Sequence, residues 1–229
     1  MINNAIFITG TDTEVGKTVT TTGLLKSIAR LNLTAIGMKP FASGAEATKH
    51  GLRNDDALQL LKFSNPKLDY SIINPYVFKE PTSPHIAARA AGEEITLDRI
   101  VHAFEICQHR ADIVLVEGIG GWRVPLSENL QTVDLVQRLK LPTILVSGLR
   151  LGCINHTLLS ADAILSDGIP LLGWIGNAID RDYAYRHETI ATLKQHIDAP
   201  LLAITEWCEG LDINKIADDL DPLARELWR

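Results

Sequence analysis

Short, continuous apolar runs alternate with longer stretches of helical spacing along the whole chain. The runs are Ala5–Thr9, Thr34–Lys39, Ile113–Glu117, Thr143–Ser147, Leu171–Asn177 and Leu201–Ile204, with no strict apolar–polar alternation. Runs of this length and composition suit strands buried on both faces, as in a parallel sheet covered by helices. Between them, Lys17–Leu31, Asp55–Phe63, Leu97–His109, Thr132–Leu139, Ile154–Asp167 and Glu188–His196 repeat apolar residues three and four apart, the helical period. Pro142 and Pro170 each stand just before a strand and Gly168 just past a helix, where helices stop. The alternation predicts right-handed βαβ units: an α/β fold with a doubly wound, mainly parallel sheet and helices on both faces. No shift of composition, repeat or low-complexity segment divides residues 1–229, so one domain is expected.

The least regular part runs from Phe41 to Gly92 and holds many of the prolines and glycines. Long irregular segments in α/β domains more often carry function than structure, and ligands bind at the carboxyl ends of the strands. The residues that follow each strand are therefore the ones to read for chemistry.

Composition narrows the classes. Apolar residues make up 46% and charged residues 22% of 229, which fits a globular protein. A net charge of −6 provides no general basic field for a nucleic acid. Cys107, Cys153 and Cys208 are odd in number and far apart, form no metal-ligand spacing and suit a reducing compartment. Met1-Ile2-Asn3-Asn4 enters the first strand without a positively charged leader, and no apolar run approaches the roughly 18 residues that span a bilayer. The expectation is a cytoplasmic protein without nucleic-acid or membrane partners.

Directly after the first strand comes Gly10-Thr-Asp-Thr-Glu-Val-Gly16-Lys17-Thr18, followed by a helix. Strand, glycine-bearing turn, Lys-Thr and helix form the arrangement that cradles nucleotide phosphates. Backbone N–H groups of the turn (Thr13, Glu14, Val15, Gly16), the helix N-terminus and the Lys17 ammonium converge on one anion, with the Thr18 hydroxyl on Mg²⁺. This predicts nucleotide binding on a fold of P-loop NTPase type. Gly10 lies one residue earlier than in the ordinary spacing, and Thr11 holds the expected glycine position.

Other strand ends are also polar. Lys39 closes a buried strand, which is costly unless its ammonium emerges or meets an anion, and Ala42, Ser43 and Gly44 leave room for a ligand beside it. In Arg53-Asn-Asp-Asp56, one Asp suffices to cap the following helix, which leaves the other for Mg²⁺. Val114-Leu-Val-Glu117-Gly-Ile-Gly120-Gly-Trp122 resembles a Walker-B element, with Glu117 holding Mg²⁺ and Gly118, Gly120 and Gly121 allowing close backbone approach. The helix that begins in Gly152-Cys153-Ile154-Asn155-His156 could hold a carboxylate at its N-terminus. Asn177 offers a donor and an acceptor that an adenine edge could use. Cys153 has no base at readable spacing, so no thiol nucleophile is expected.

Taken in order, these segments resemble the ATP-dependent dethiobiotin synthetases of biotin synthesis. Besides the phosphate loop, the markers are Lys39-Pro40, Leu52-Arg-Asn-x-Asp56-Ala-Leu, Asn74-Pro75, Pro81-Thr-Ser-Pro-His85, Val116-Glu-Gly-x-Gly-Gly-Trp122, Leu151-Gly-Cys-Ile-Asn-His156 and Gly173-Trp174-x-x-Asn177. The resemblance implies a homodimer that makes dethiobiotin from 7,8-diaminononanoate, CO₂ and ATP through a carbamate and a carbamic–phosphoric anhydride, with no protein nucleophile. It implies that Lys17 and Lys39 neutralise charge at the carbamate and γ-phosphate, and that Thr18, Asp56 and Glu117 hold Mg²⁺. Thr13 and Ser43 would orient carbamate and diamine, Asn177 would read adenine, and Gly152, Cys153, Ile154 and Asn155 would take the substrate carboxylate across the dimer interface. Two stretches depart from the family pattern. The usual tyrosine after Asn177 is replaced within Tyr185-Arg-His-Glu-Thr-Ile190, so Tyr183, Tyr185 or Thr189 would stand in for it. Ala203-Ile-Thr-Glu-Trp207 lacks the usual Gly-x-hydrophobic-Pro.

Three rivals differ in readable ways. A ParA- or MinD-like switch ATPase needs a second lysine early in its phosphate loop, where this chain has Thr11 and Asp12; its surface helix for DNA or membrane has no convincing counterpart in Leu220–Arg229. A cobyrinate-type amidoligase needs a glutaminase for which 229 residues leave no room. A silent nucleotide-binding regulator has no need of the full set Lys17, Lys39, Asp56 and Glu117.

Overall fold

The computed structural model describes residues 4–210 and 212–228. Met1, Ile2 and Asn3, on which the expectation of no leader rests, and Arg229 of the C-terminal segment lie outside the described residues.

The chain opens with strand β1 (Ala5–Gly10), helix α1 (Lys17–Arg30) and strand β2 (Ala35–Met38). The irregular region then supplies β3 (Phe41–Ala42), β4 (Glu46–Thr48), β5 (Gly51–Arg53), α2 (Asp55–Phe63), α3 (Tyr70–Ile73), β6 (Tyr76–Val77) and α4 (Pro84–Ala91). Regular alternation resumes with α5 (Leu97–Gln108), β7 (Ile113–Glu117), α6 (Thr132–Leu139), β8 (Thr143–Leu149) and α7 (Cys153–Ser166). It ends with β9 (Leu171–Ala178), α8 (Arg186–His196), β10 (Leu201–Thr205) and α9 (Ile213–Trp228). The six expected strands and the helices between them agree with the sequence reading to within one or two residues.

The six long strands form one sheet in the order β10-β9-β8-β1-β7-β2, every neighbouring pair parallel. The apolar runs are parallel strands because both faces are covered: all residues of β1, β2, β7 and β8 are buried. From β1 the chain steps outward to β2, and from β7 onward it steps mainly the other way to β10. Right-handed crossovers put connections of opposite direction on opposite faces, which gives the doubly wound architecture.

Register sets up the site. Ile8 pairs with Glu117 and Met38 with Val116, so Lys39 leaves β2 beside Glu117, with Gly10 one strand away. The Gly118 N–H donates to the Ile8 carbonyl at 2.9 Å and keeps the next turn on the sheet end.

The sequence pattern sets no helix in the C-terminal segment. Its end, Leu220–Arg229, offers no convincing surface for DNA or membrane, and residues 220–228 finish the sixteen-residue α9. Ile216, Ala217, Leu220, Leu223 and Ala224 are buried at helical spacing against α1. Close approach depends on Gly23, where a Cβ would lie 2.6 Å from Ile216 Cγ2. Ser27 Oγ donates to the Ala217 carbonyl at 2.9 Å, and Arg30 meets Asp218 and Asp221, each at 2.8 Å. Pro222 and four acids in the segment mask this face from a pattern reading.

If α9 is integral to the fold, Leu220→Ala removes a fully buried side chain and costs about 2–5 kcal/mol. Urea denaturation followed by circular dichroism should show one transition at lower denaturant; an unchanged midpoint would mean that α9 is only appended.

Candidate active site

The turn between β1 and α1 is built on backbone conformation. Glu14 and Gly16 have φ of 60° and 91°, and left-handed residues in such a turn form an anion-binding concavity in front of the α1 N-terminus. The Thr11 N–H donates to the Val146 carbonyl at 3.0 Å, which fixes the loop to β8. At Gly10 a Cβ would lie 2.6 Å from Val15 Cγ2 and 3.0 Å from Lys17 Cγ. The early glycine thus makes room for the longer loop to fold back on its strand. Lys17 is buried and donates from Nζ to the Asp12 carbonyl at 2.7 Å. Burial, followed by the nearby Lys39 charge, lowers its pKa to about 8.

Lys39 is fully engaged at the end of β2. Its Nζ donates to Glu117 Oε1 at 2.5 Å, Asp56 Oδ2 at 2.9 Å and the Gly118 carbonyl at 3.2 Å, one acceptor per proton. The Asn74 side chain holds the Lys39 carbonyl at 2.7 Å and so fixes the backbone behind it. Burial alone would lower the Lys39 pKa, but Glu117 and then Asp56 outweigh it and hold the ammonium above its ordinary range. Burial works against the Asp56 carboxylate too, and Lys39 reverses that and keeps it below the usual range.

Glu117 is completely buried and takes the Thr18 hydroxyl on Oε1 at 2.7 Å. Its Oε2 has no hydrogen-bond partner among the described residues. A buried carboxylate oxygen left unpaired is costly, and a hard cation would satisfy it. Thr18, Asp56 and Glu117 therefore fit Mg²⁺ as an all-oxygen donor set. Among the described residues no group of three or more His, Cys, Asp or Glu side chains forms a metal cluster, so a purely acidic site is not what the residues build.

A cleft of about 810 Å³ opens over this cluster. Thr13, Glu14, Gly16, Lys17, Thr18, Lys39, Ser43, Asp56 and Gly120 all line it. Val15 and Glu117 are buried behind its wall. The helix cap at 53–56 differs from expectation: Asn54 is the capping residue, accepting the Ala57 N–H at 3.3 Å, so neither Asp caps through its side chain. Asp56 is instead turned to Lys39. Pro81, Thr82, Ser83 and Pro84 also line the cleft, from a turn noted in the sequence only as a marker.

Other expected residues lie elsewhere. Asn177 does not line the cleft; its Nδ2 donates to the Val15 carbonyl at 2.9 Å and its Oδ1 accepts from Thr205 at 2.5 Å. Gly152, Cys153, Ile154 and Asn155 lie at the start of α7, outside the cleft of their own chain, with Cys153 buried. Of the tyrosine substitutes, Tyr183 and Thr189 share a hydrogen bond at 2.6 Å, whereas Tyr185 is exposed at the start of α8. Thr205 was not singled out as a site residue, because a partnership between side chains of adjacent strands leaves no spacing signal. Arg150 was missed for the same kind of reason; it reaches Asp12 of the phosphate loop at 3.2 Å.

Comparison with known proteins places the chain. A family model described as an AAA domain matches residues 4–214. The ATP-dependent dethiobiotin synthetase of Xanthomonas axonopodis pv. citri is 45% identical over 212 residues, 93% of this chain and 95% of that protein. That of Chromohalobacter salexigens is 48% identical over 207 residues, covering 86% and 87%. That of Salmonella typhi is 47% identical over 223 residues, covering 96% and 97%. Among solved structures, a MinC:MinD cell division protein complex of Aquifex aeolicus superposes with a TM-score of 0.60 at 15% identity, covering 97% of this chain and 95% of that one. A ParA family ATPase of Chlorobium tepidum gives 0.59 at 12%, covering 98% and 100%. At such identities the likeness is one of fold, and it agrees with a P-loop α/β sheet.

With a Lys17 pKa of about 8 before ligand arrives, a bound triphosphate should favour the ammonium and draw in a proton. Calorimetry of Mg-ATP binding in buffers of different ionisation enthalpy should show uptake of up to about half a proton near pH 8. Affinity should fall as pH rises further, and Lys17→Met should abolish the uptake. Binding without proton uptake would show Lys17 to be fully charged beforehand.

Proposed function

The chain belongs to the family of ATP-dependent dethiobiotin synthetases, and from that premise we propose that residues 1–229 form a single ligase domain making dethiobiotin from 7,8-diaminononanoate, CO₂ and ATP. The observation that carries this reading is the convergence of two buried ammoniums, Lys17 and Lys39, on one cleft beside a buried, half-satisfied carboxylate.

In this reading the phosphate loop takes the triphosphate on the backbone of Thr13, Glu14, Val15 and Gly16 and on Lys17. Thr18, Asp56 and Glu117 would hold Mg²⁺, which when bound offsets phosphate charge. Gly120 lines the cleft near Thr13: a Cβ on it would lie 3.3 Å from Val124 Cγ2 and 3.9 Å from Thr13 Oγ1. One amine of the substrate adds CO₂ and loses a proton to give a carbamate, which Lys39 neutralises while Thr13 and Ser43 orient it. A carbamate oxygen attacks the γ-phosphorus, the bond to ADP breaks, and a carbamic–phosphoric anhydride forms. The second amine attacks the carbonyl carbon, closes the ring, and releases phosphate and a proton. No protein nucleophile takes part, so the residues act by position and charge. The burial of Cys107, whose thiol is pushed up to about 12, and of Cys153 accords with this.

The start of α7 would serve the substrate carboxylate of a second copy, which makes the active form a homodimer. In support, Gly152 and Asn155 are exposed and outside their own cleft, and Leu151 and Leu159 are exposed apolar residues beside them. The amide of Asn177 keeps one N–H and one lone pair beyond its internal bonds, enough for an adenine edge. Neither a nucleic-acid nor a membrane partner enters this reading; among the described residues no helix is long and apolar enough to cross a membrane. Cytoplasmic residence is part of the proposal and accords with the three free cysteines.

Phosphate release from Mg-ATP and bicarbonate should require 7,8-diaminononanoate and match dethiobiotin formed, measured by mass. Hydrolysis indifferent to the diamine would reject the synthetase and favour a switch ATPase. Lys39→Met should lower kcat by about 10²–10³-fold while Mg-ATP still binds; a kcat near that of the unaltered chain would remove Lys39 from the chemistry.

A further inference from the structure

One buried hydrogen-bonded chain runs from the last strand to the phosphate loop without entering the cleft. Thr205 at the end of β10 is fully buried and pairs in register with Asn177 at the end of β9. Its hydroxyl donates to Asn177 Oδ1 at 2.5 Å, and Asn177 Nδ2 donates to the Val15 carbonyl at 2.9 Å. A carbonyl can only accept, so the amide has one sensible orientation: nitrogen to the loop, oxygen to Thr205.

Val15 stands between Glu14 and Gly16, the two left-handed residues of the loop. A non-glycine residue such as Glu14 holds a positive φ only where its surroundings enforce it. Asn177 is one such constraint, and it packs so closely that a Cβ on Gly16 would lie 1.9 Å from Nδ2. The amide can brace the loop only while it is itself held, and the Thr205 hydroxyl is what engages its free end.

We propose that Thr205 is a positioning residue for the nucleotide: through Asn177 it locks the Val15 carbonyl and sets the phosphate loop in its binding form before any ligand arrives. This rests on the ATP reading of the cleft and adds to it a residue that touches neither base nor phosphate. Inorganic tripolyphosphate tests the brace separately from base recognition, because it has no base to contact Asn177.

Thr205→Val keeps the shape and removes the hydroxyl. It should weaken Mg-ATP and Mg-tripolyphosphate alike, by about five- to tenfold, the worth of one buried hydrogen bond. The KM for ATP should rise by a similar factor with kcat at saturation changed less than about twofold, and Thr205→Ser should restore both. Thr205→Ala should give the same losses and carries the test if the valine chain does not fold. Unaltered binding of both ligands in a folded Val or Ala variant would overturn the proposal. So would loss of ATP affinity alone, which would reduce Asn177 to a base contact. Failure of the unaltered chain itself to bind Mg-ATP would instead reject the ATP reading.

Discussion

The ion pair between Lys39 and Glu117 is the constraint on which the site depends. Both side chains are buried, and charges taken out of water are tolerated only when paired and hydrogen-bonded. Removing either partner from such a pair leaves an uncompensated buried charge, at a cost of about 3–5 kcal/mol. The pair forms because β2 and β7 are parallel neighbours in a register that brings their ends level. Around it gather the Thr18 hydroxyl from α1, the Asp56 carboxylate from α2 and the Gly118 carbonyl. A second ammonium, Lys17, sits near enough to lose basicity to Lys39 as well as to burial. Two positive and two negative side chains, all but Asp56 buried, form a fixed polar environment that needs little rearrangement when a charged substrate arrives.

The parts around this pair divide the work. The parallel sheet supplies rigid positions: β1 delivers the phosphate loop, β7 the buried carboxylate and β2 the lysine. The irregular region between residues 41 and 92 supplies the opposite wall, with Ser43, Asn54 and the turn at 81–84. In the proposed reaction that wall holds the diamine against phosphates bound to the sheet side. Positioning of this kind asks for no nucleophile, and among the described residues that line the cleft there is no cysteine.

Much of the architecture was legible because the strands are unbroken apolar runs and the helices carry a clear period. Elements of two or three residues, such as β3, β4, β5 and β6, were not, since so short a stretch has no period. Helix α9 was hidden by Pro222 and its acids, although its buried face has ordinary helical spacing. At the site, Lys17, Lys39 and Glu117 could each be read from local pattern, whereas the choice of Asp56 over Asp55 came only with the family resemblance. That Lys39 bonds Glu117 could not, because the contact depends on the order β1-β7-β2. Asn54 as the cap, and the line from Thr205 through Asn177 to Val15, depend on geometry that spacing alone does not carry.

The central claim is that a carbamate oxygen, held by charge and position alone, attacks the γ-phosphorus. A single-turnover reaction with ¹⁸O-labelled CO₂, read by mass spectrometry of the released phosphate, tests it most directly. The account predicts that phosphate carries one oxygen from CO₂, because ring closure breaks the carbon–oxygen bond of the anhydride. Phosphate carrying only oxygen from ATP and solvent would contradict it, and would mean that water, not the carbamate, reaches the phosphorus.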